Sequence, residues 1–433
     1  MMRVCLLVLL AVTSVGLPSL LAESPTSQPE RLTMHRAVQL ALEHHPSLRL
    51  ADANLRSASA AVTQARGSYF PSVSATASAS RTDGAFVFNP SFPARLQTYN
   101  NYTTALQLQQ LIYDFGRTGG KVSANENLAE ASVSDLEATR DNVIINAQVS
   151  YFGLLQALRV ERVNDEAVDL AARHLAQAQA FYTVGRRPQF DVTKAEVDLA
   201  NARVNQILAR NLSHLATVQL ENALGVHPPG GYALVDTFEV TPIALSLDSA
   251  LAIAMNNRPD LRAAEARLSA SRDLVTSTRG QYFPTLSAFG TWTWSGFEFP
   301  LSSRWNAGVT MSLPIFQGFS AVAQVNQAEA NADAAQANVD VLRETITLDV
   351  QQNYWAVQEA NERISAATKL LEQAEQNLVL AEKQYAAGVG TPLDVADAQV
   401  SRSNARIASI QALYDYDTSV IRLRRSIGMV AEP

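Results

Sequence analysis

Cysteine is nearly missing from this 433-residue chain: its one copy, Cys5, lies in the first few positions. That position falls within a segment expected to be removed, so the mature chain has no thiol. Disulfides, thiolate metal sites and cysteine nucleophiles are thereby excluded. Aromatic residues make up only 7%, while Ala, Gln and Asn are plentiful. The mixture suits long helices packed through small side chains better than a thick globular core. Positive charge is also short, 34 Lys and Arg against 41 Asp and Glu, with no basic patch. Nucleic acid is not an expected partner. Past the N-terminus no apolar stretch reads as a membrane-spanning helix, so the mature chain is either soluble or crosses a membrane as β-strands. Phosphate loops, GxSxG, HExxH and triad spacings are absent too, so no catalytic residue, cofactor or metal is expected. His44 and His45 read as surface residues at a helix end before Pro46 rather than as metal ligands.

The first residues, MMRVCLLVLLAVTSVGLPSLLAES, have the plan of an export signal. Arg3 is a short positive region, Val4 to Val12 is apolar, and Pro18 to Ala22 leads to a cleavage site placed after Ala22. The run is too short to span a bilayer. No lipobox precedes Cys5, so a lipid anchor is not expected. Losing residues 1–22 removes Arg3 and takes the net charge from −7 to −8.

The rest is written twice. LALEHHPSLRLADANLRSA (40–58) matches IAMNNRPDLRAAEARLSA (253–270), and GSYFPSVSA (67–75) matches GQYFPTLSA (280–288). IYDFGR (112–117) answers PIFQGF (314–319), and NALGV (222–226) answers RSIGM (425–429). Units of this length are too long for a solenoid repeat and point to a duplicated domain half. The first unit covers 31–226, with strands near 69–81 and 100–113 and a helical hairpin at 116–224. A linker at 227–243 follows. The second unit, 244–429, has strands near 282–295 and 304–315 and a hairpin at 318–427.

The strands alternate. Val73, Ala75, Ala77 and Ala79 interleave with serines and Thr76, and Trp305, Ala307, Val309, Met311 and Leu313 interleave with polar or small residues. Leu286, Ala288, Gly290, Trp292 and Trp294 share a face, and Phe289 breaks the opposite, polar one. Leu106 and Leu108 lie between glutamines. Such alternation fits a solvated sheet, or a membrane barrel with lipid outside and water inside. Four strands cannot close a barrel, so membrane strands would have to be pooled by several chains.

From 319 to 387 neither Gly nor Pro occurs. A largely apolar seam runs through Ile346, Val350, Asn353 (its one polar member), Val357, Ala360, Ile364, Ala367, Leu371, Ala374, Leu378, Ala381 and Tyr385, and the first unit keeps the frame from Val143 through Ala171, Leu175 and Ala178 to Tyr182. Alternating spacings of three and four make this a coiled-coil seam. A helix of some 65 residues is roughly 100 Å long and must project from the strands. Each seam ends in an echoed phrase: YTVGRRPQFDVTKA (182–195) and YAAGVGTPLDVADA (385–398) share Tyr182/Tyr385, Gly185/Gly388 and Asp191/Asp394. The tyrosines read as residues capping the core. Thr391-Pro392-Leu393-Asp394 reads as a capping box, whereas Asp397 lies too far into its helix to cap.

Duplicated units, Tyr-Phe-Pro strands, long helices and Gly-turn-Asp-Val hairpins together resemble the TolC-like outer-membrane factor family, over about residues 31–429. The resemblance implies a mixed α and transmembrane β fold. It implies a homotrimer whose chains give four strands each to a 12-stranded β-barrel in outer-membrane lipid, continued by a periplasmic α-helical barrel. It also implies a passive exit duct in the outer membrane of a Gram-negative bacterium, for efflux or type I secretion. Expected partners are a periplasmic adaptor (membrane fusion protein) and, through it, an RND- or ABC-type inner-membrane transporter. The phrases would be the periplasmic tips, with Asp394 and Asp397 at the constriction and Asp191 at the first tip. Asp394 thus has two readings, cap and gate. Where the family often has a basic residue, this chain has Gly390; Arg186 and Arg187 are candidates to supply that charge or to dock an adaptor. Competing readings are a periplasmic coiled-coil adaptor, which would have one hairpin flanked by lipoyl-like strands, and a structural coiled coil without a pore.

Overall fold

The computed structural model describes residues 30–86, 95–227, 232–236 and 245–430. The signal segment 1–22 and most of the expected linker lie outside these residues. In chain order the elements are β1 (Glu30–Leu32), α1 (Met34–His44), α2 (Pro46–Gly67), β2 (Ser72–Phe86), β3 (Arg95–Tyr113), α3 (Arg117–Thr183) and α4 (Gln189–Leu224). The second half repeats the order with β4 (Tyr232–Leu234), α5 (Leu247–Asn257), α6 (Pro259–Arg279), β5 (Thr285–Gly296), β6 (Ser302–Ser312), α7 (Ser320–Ala386) and α8 (Pro392–Ser426).

Each unit begins with two helices because Pro46 and Pro259 break the helical run. Proline holds the preceding residue extended and then starts a new helix, and His45 and Arg258 are both extended. The expected linker also contains structure: β4 pairs in parallel with β1. Tyr151, fully buried, clamps that pair by donating to the carbonyls of Leu32 (3.0 Å) and Val235 (2.6 Å).

The duplication is visible in the packing as well as in the motifs. Arg66 pairs with Glu126 at 2.6 Å, and the corresponding Arg279 pairs with Glu329 at 2.6 Å. Gly225 and Gly428, with φ of +69° and +68°, each press against a helix break, at His44–His45 and Asn257–Arg258 respectively. A side chain at either glycine would run into backbone. The breaks themselves differ. His45 accepts from Ser47 N as a cap, whereas Arg258 is buried and holds Asp260, Asp349 and the Ser426 carbonyl.

The four long strands form one antiparallel sheet in the order β2-β3-β5-β6. Register places Ala75, Leu106, Trp292 and Trp305 in one row across it, and Val73, Leu108, Gly290 and Ala307 in another on the same face. Ser74, Gln107, Thr291 and Asn306 form a row on the other face. One face is therefore apolar and one polar, as the alternation predicts. β2 and β3 reach past the expected bounds, to Phe86 and back to Arg95. Phe289, on the polar face, covers Gly308; a Cβ there would lie 3.1 Å from its ring. Such a ring shields the backbone that a strand glycine leaves bare.

α3 and α7 each span 67 residues, about 100 Å at 1.5 Å per residue. α3 packs on α4 and α8, and α7 on α8, so α4 and α7 are the outer helices of the chain's long bundle. One core gathers Val38, Ile144, Tyr151, Leu154, Leu220 and Tyr414 near the first helix break, and a second gathers Leu261, Ile346, Val350, Val357 and Leu423 near the other. α3 does hold a window apolar enough for a membrane span, contrary to the sequence reading. Its apolar residues from Val143 to Leu155 are largely buried in the first core, which accounts for their character.

Candidate functional site

The echoed phrases are helix stops with a common backbone geometry. Gly185 and Gly388 adopt φ of +69° and +82°, a region closed to most side chains. Their amides donate to Tyr182 O and Tyr385 O, both at 3.0 Å. The next amides reach back further, Arg186 to Phe181 O (2.9 Å) and Val389 to Gln384 O (3.1 Å). This paired closure ends a helix by satisfying its last carbonyls. The repeated glycine thus has a local cause.

The helices that leave the turns start differently. α8 has the complete capping box: Asp394 N donates to Thr391 Oγ1 (3.2 Å) and Thr391 N to Asp394 Oδ2 (2.9 Å). The Thr391 hydroxyl also donates to Asp394 Oδ2 (2.7 Å) and, with the backbone bond, holds that carboxyl below its ordinary range. Asp394 and Asp397 are exposed while Val395, Ala396 and Ala398 are buried, so the two acids share the outward side of the first turns. α4 has no side-chain cap, and Asp191 is buried at 5% exposure.

Arg187 joins the two tips. Its Nη2 donates to Gly390 O (3.2 Å), its guanidinium sits 4.9 Å from the Tyr385 ring centre, and its Nε is 4.0 Å from Asp191 Oδ2. Arg186 points to solvent. The paired tyrosines do not share a role: Tyr385 is 3% exposed, whereas Tyr182 is 46% exposed. Contrary to the expectation that both cap a core, only Tyr385 does so, between the hairpins and against His174 and Phe181. Burial raises the Tyr385 phenol, which stays neutral.

His174 is a residue that the motifs do not mark, yet it is buried more fully than its apolar neighbour Leu175. Its spacing from Ala171 and Ala178, three and four residues, carried that signal.

The profile of the outer membrane efflux protein family matches residues 37–226 and 250–429, one match per structural unit. The chain belongs to that family. Outer membrane protein TolC of Escherichia coli is 24% identical over 440 residues, covering 96% of this chain and 86% of TolC. Alkaline protease secretion protein AprF of Pseudomonas aeruginosa is 26% identical over 351 residues, covering 77% of this chain and 71% of AprF. Among solved structures, the CmeC outer membrane channel of Campylobacter jejuni superposes with a TM-score of 0.85 at 22% identity, covering 92% of this chain and 86% of CmeC. As a family member the chain is an outer-membrane exit duct of a Gram-negative bacterium, of the kind serving efflux and type I secretion.

Proposed function

We propose that three copies of this chain close one passive duct, shut at its periplasmic end by the hairpin tips and opened when an adaptor engages them. The observation that carries this reading is the pair of free sheet edges. β2 and β6 end the sheet and run in opposite directions. β6 of one copy can therefore pair antiparallel with β2 of the next, and three copies give twelve strands with no edge left facing lipid. The outer helices support the same assembly. Val197, Val204 and Leu208 on α4, and Val341, Leu348 and Trp355 on α7, are all exposed in one chain, and their heptad spacings suit helix-on-helix packing between copies.

At the tip turns Val184, Phe190, Val389 and Leu393 are exposed, and so is Arg186. An apolar patch with a basic residue suits an adaptor hairpin. The adaptor would couple the duct to an RND- or ABC-type transporter, which supplies the energy. Arg187, Tyr385, Gly390 and Asp191 form the latch within one chain, and Asp394 with Asp397 would ring the water path in three copies, favouring cations. Opening is then a shift between two packings of the hairpins. Light scattering of the detergent-purified protein should give three chains per particle, and planar bilayers should show small, cation-selective channels. A monodisperse monomer without bilayer activity would overturn the reading.

A further inference from the structure

Between the hairpins, just behind the latch, lies a cavity of about 550 Å³. It is lined by His174 and Gln177 of α3, Glu382 and Tyr385 of α7, and Val395 and Gln399 of α8. His174 is 7% exposed, and its ring centre is 5.6 Å from that of Tyr385, the residue on which Arg187 rests. A titratable ring thus sits inside the joint that must part when the tips splay. Resting on the duct reading above, we propose that His174 is a proton-responsive wedge: neutral, it packs against Tyr385 and keeps the hairpins together, and protonated, it drives them apart.

The ionisable groups around it come from every side but one. α3 itself brings Arg173 to the cavity, α4 brings Asp191, Lys194 and Asp198, and α7 brings Glu382 and Tyr385. α8 presents Val395 and Gln399, neither of them ionisable. Asp198, Glu382 and Asp191 favour an imidazolium and Lys194 opposes it, but burial outweighs them and holds the imidazole below its ordinary value of 6.5. Lys194 also partly neutralises Asp198 by pairing with it.

The direction of the response follows by linkage. The closed joint binds the proton less readily than a solvated imidazole does. Closed tips are therefore at full stability above the ordinary pKa and lose it as pH falls through 6.5 towards the depressed value. Each chain contributes at most a tenfold shift toward the parted state per pH unit in that window. A fixed charge at this position would act like permanent acid.

Single-channel recording in planar bilayers at pH 7.5 and 5.5 tests this on the full-length trimer. Wild type should spend several-fold more time in larger-conductance states at pH 5.5. His174→Gln should match wild type at pH 7.5, which shows that it is assembled, and should lose most of the acid response. His174→Lys should show the larger states already at pH 7.5. A His174→Gln channel that keeps the full response assigns it to the carboxylates and overturns the proposal, as does a wild type that acid leaves unchanged. A wild type with no channel at all at either pH overturns the duct reading, and the wedge with it.

Discussion

The Arg187 guanidinium lies 4.9 Å from the centre of the Tyr385 ring, so a residue from the first hairpin turn grips the last seam residue of the second hairpin. The same arginine donates to the Gly390 carbonyl and stands 4.0 Å from the Asp191 carboxylate. Three weak interactions converge on one side chain that is only 23% exposed. Their partners all sit where the two tips meet. Separating the hairpins breaks the Gly390 bond and the Tyr385 contact together, while Asp191, on the same hairpin as Arg187, steadies the guanidinium.

Replacing Arg187 should therefore loosen the closed tip. The cation–π contact and the carbonyl bond together are worth about 2 kcal/mol at a partly buried site. Arg187→Ala is expected to raise the open fraction roughly thirtyfold, the factor that this energy implies, and Arg187→Lys to fall between. Conductance in planar bilayers measures it. Cells carrying Arg187→Ala should also admit large solutes that intact outer membranes exclude. An Arg187→Ala channel with wild-type conductance would remove the latch.

Much of this architecture was legible because the features repeat. A proline at 46 and again at 259, a Tyr-Phe-Pro before each strand pair and a glycine ending each long helix are local instructions, and each produces its break, strand or stop in both units. The apolar seam of α7 is buried along most of its predicted length, from Ile346 to Tyr385. What the sequence could not carry is which copy of a repeated residue meets a neighbour. Tyr182 and Tyr385 occupy equivalent positions, yet only Tyr385 meets the other hairpin, at His174, Phe181 and Arg187, while Tyr182 is exposed. Arg258 and His45 diverge in the same way. Burial of Asp191 likewise depends on the joint between hairpins, and no single-helix periodicity encodes that.

Asp394 and Asp397 separate into two roles by their bonds. Asp394 accepts the Thr391 amide and hydroxyl and stays ionised below the ordinary carboxylate range. Its capping contribution is thus retained at neutral pH and fades only as the solution becomes more acidic than pH 3.8. Asp394→Asn keeps an acceptor for the cap but removes a charge, and Thr391→Ala removes the hydroxyl alone. If Asp394 serves the pore, Asp394→Asn lowers cation preference and Thr391→Ala does not. Asp397→Asn should lower cation preference with no change in thermal stability. Reversal potentials in a salt gradient, paired with melting curves, distinguish these outcomes.

Asp417 on α8 is buried at 7% exposure, and its Oδ2 has no hydrogen-bond partner among the described residues. Burial pushes its carboxyl up to about 6 from 3.8. The folded pKa lies above the unfolded one, so the buried charge costs stability at neutral pH. That cost disappears as pH falls from about 6 towards 3.8. A shift of this size is worth about 3 kcal/mol per chain. Asp417→Asn should raise the melting temperature of the assembled protein at pH 7.5 and lose that advantage near pH 4. Equal melting temperatures at pH 7.5 would show that the carboxylate is satisfied in the assembly.

Gly390 stands where the family resemblance places a basic residue, and the structure gives a steric reason why a simple exchange fails. A Cβ on Gly390 would lie 2.9 Å from Tyr385 N and 3.1 Å from the Gln384 carbonyl carbon. Both are backbone atoms of the last turn of α7, and that turn also accepts the Gly390 amide at Gln384 O (3.0 Å). Any side chain at 390 must move the turn that presents Tyr385 to Arg187. Gly390→Ala is therefore expected to raise the open fraction, and Gly390→Arg to raise it at least as much despite adding the charge. Were a cation at 390 enough to rebuild the latch, Gly390→Arg in an Arg187→Ala background would restore closed channels. The geometry predicts instead that the double variant opens no less than Arg187→Ala alone, and conductance of the three variants side by side decides between them.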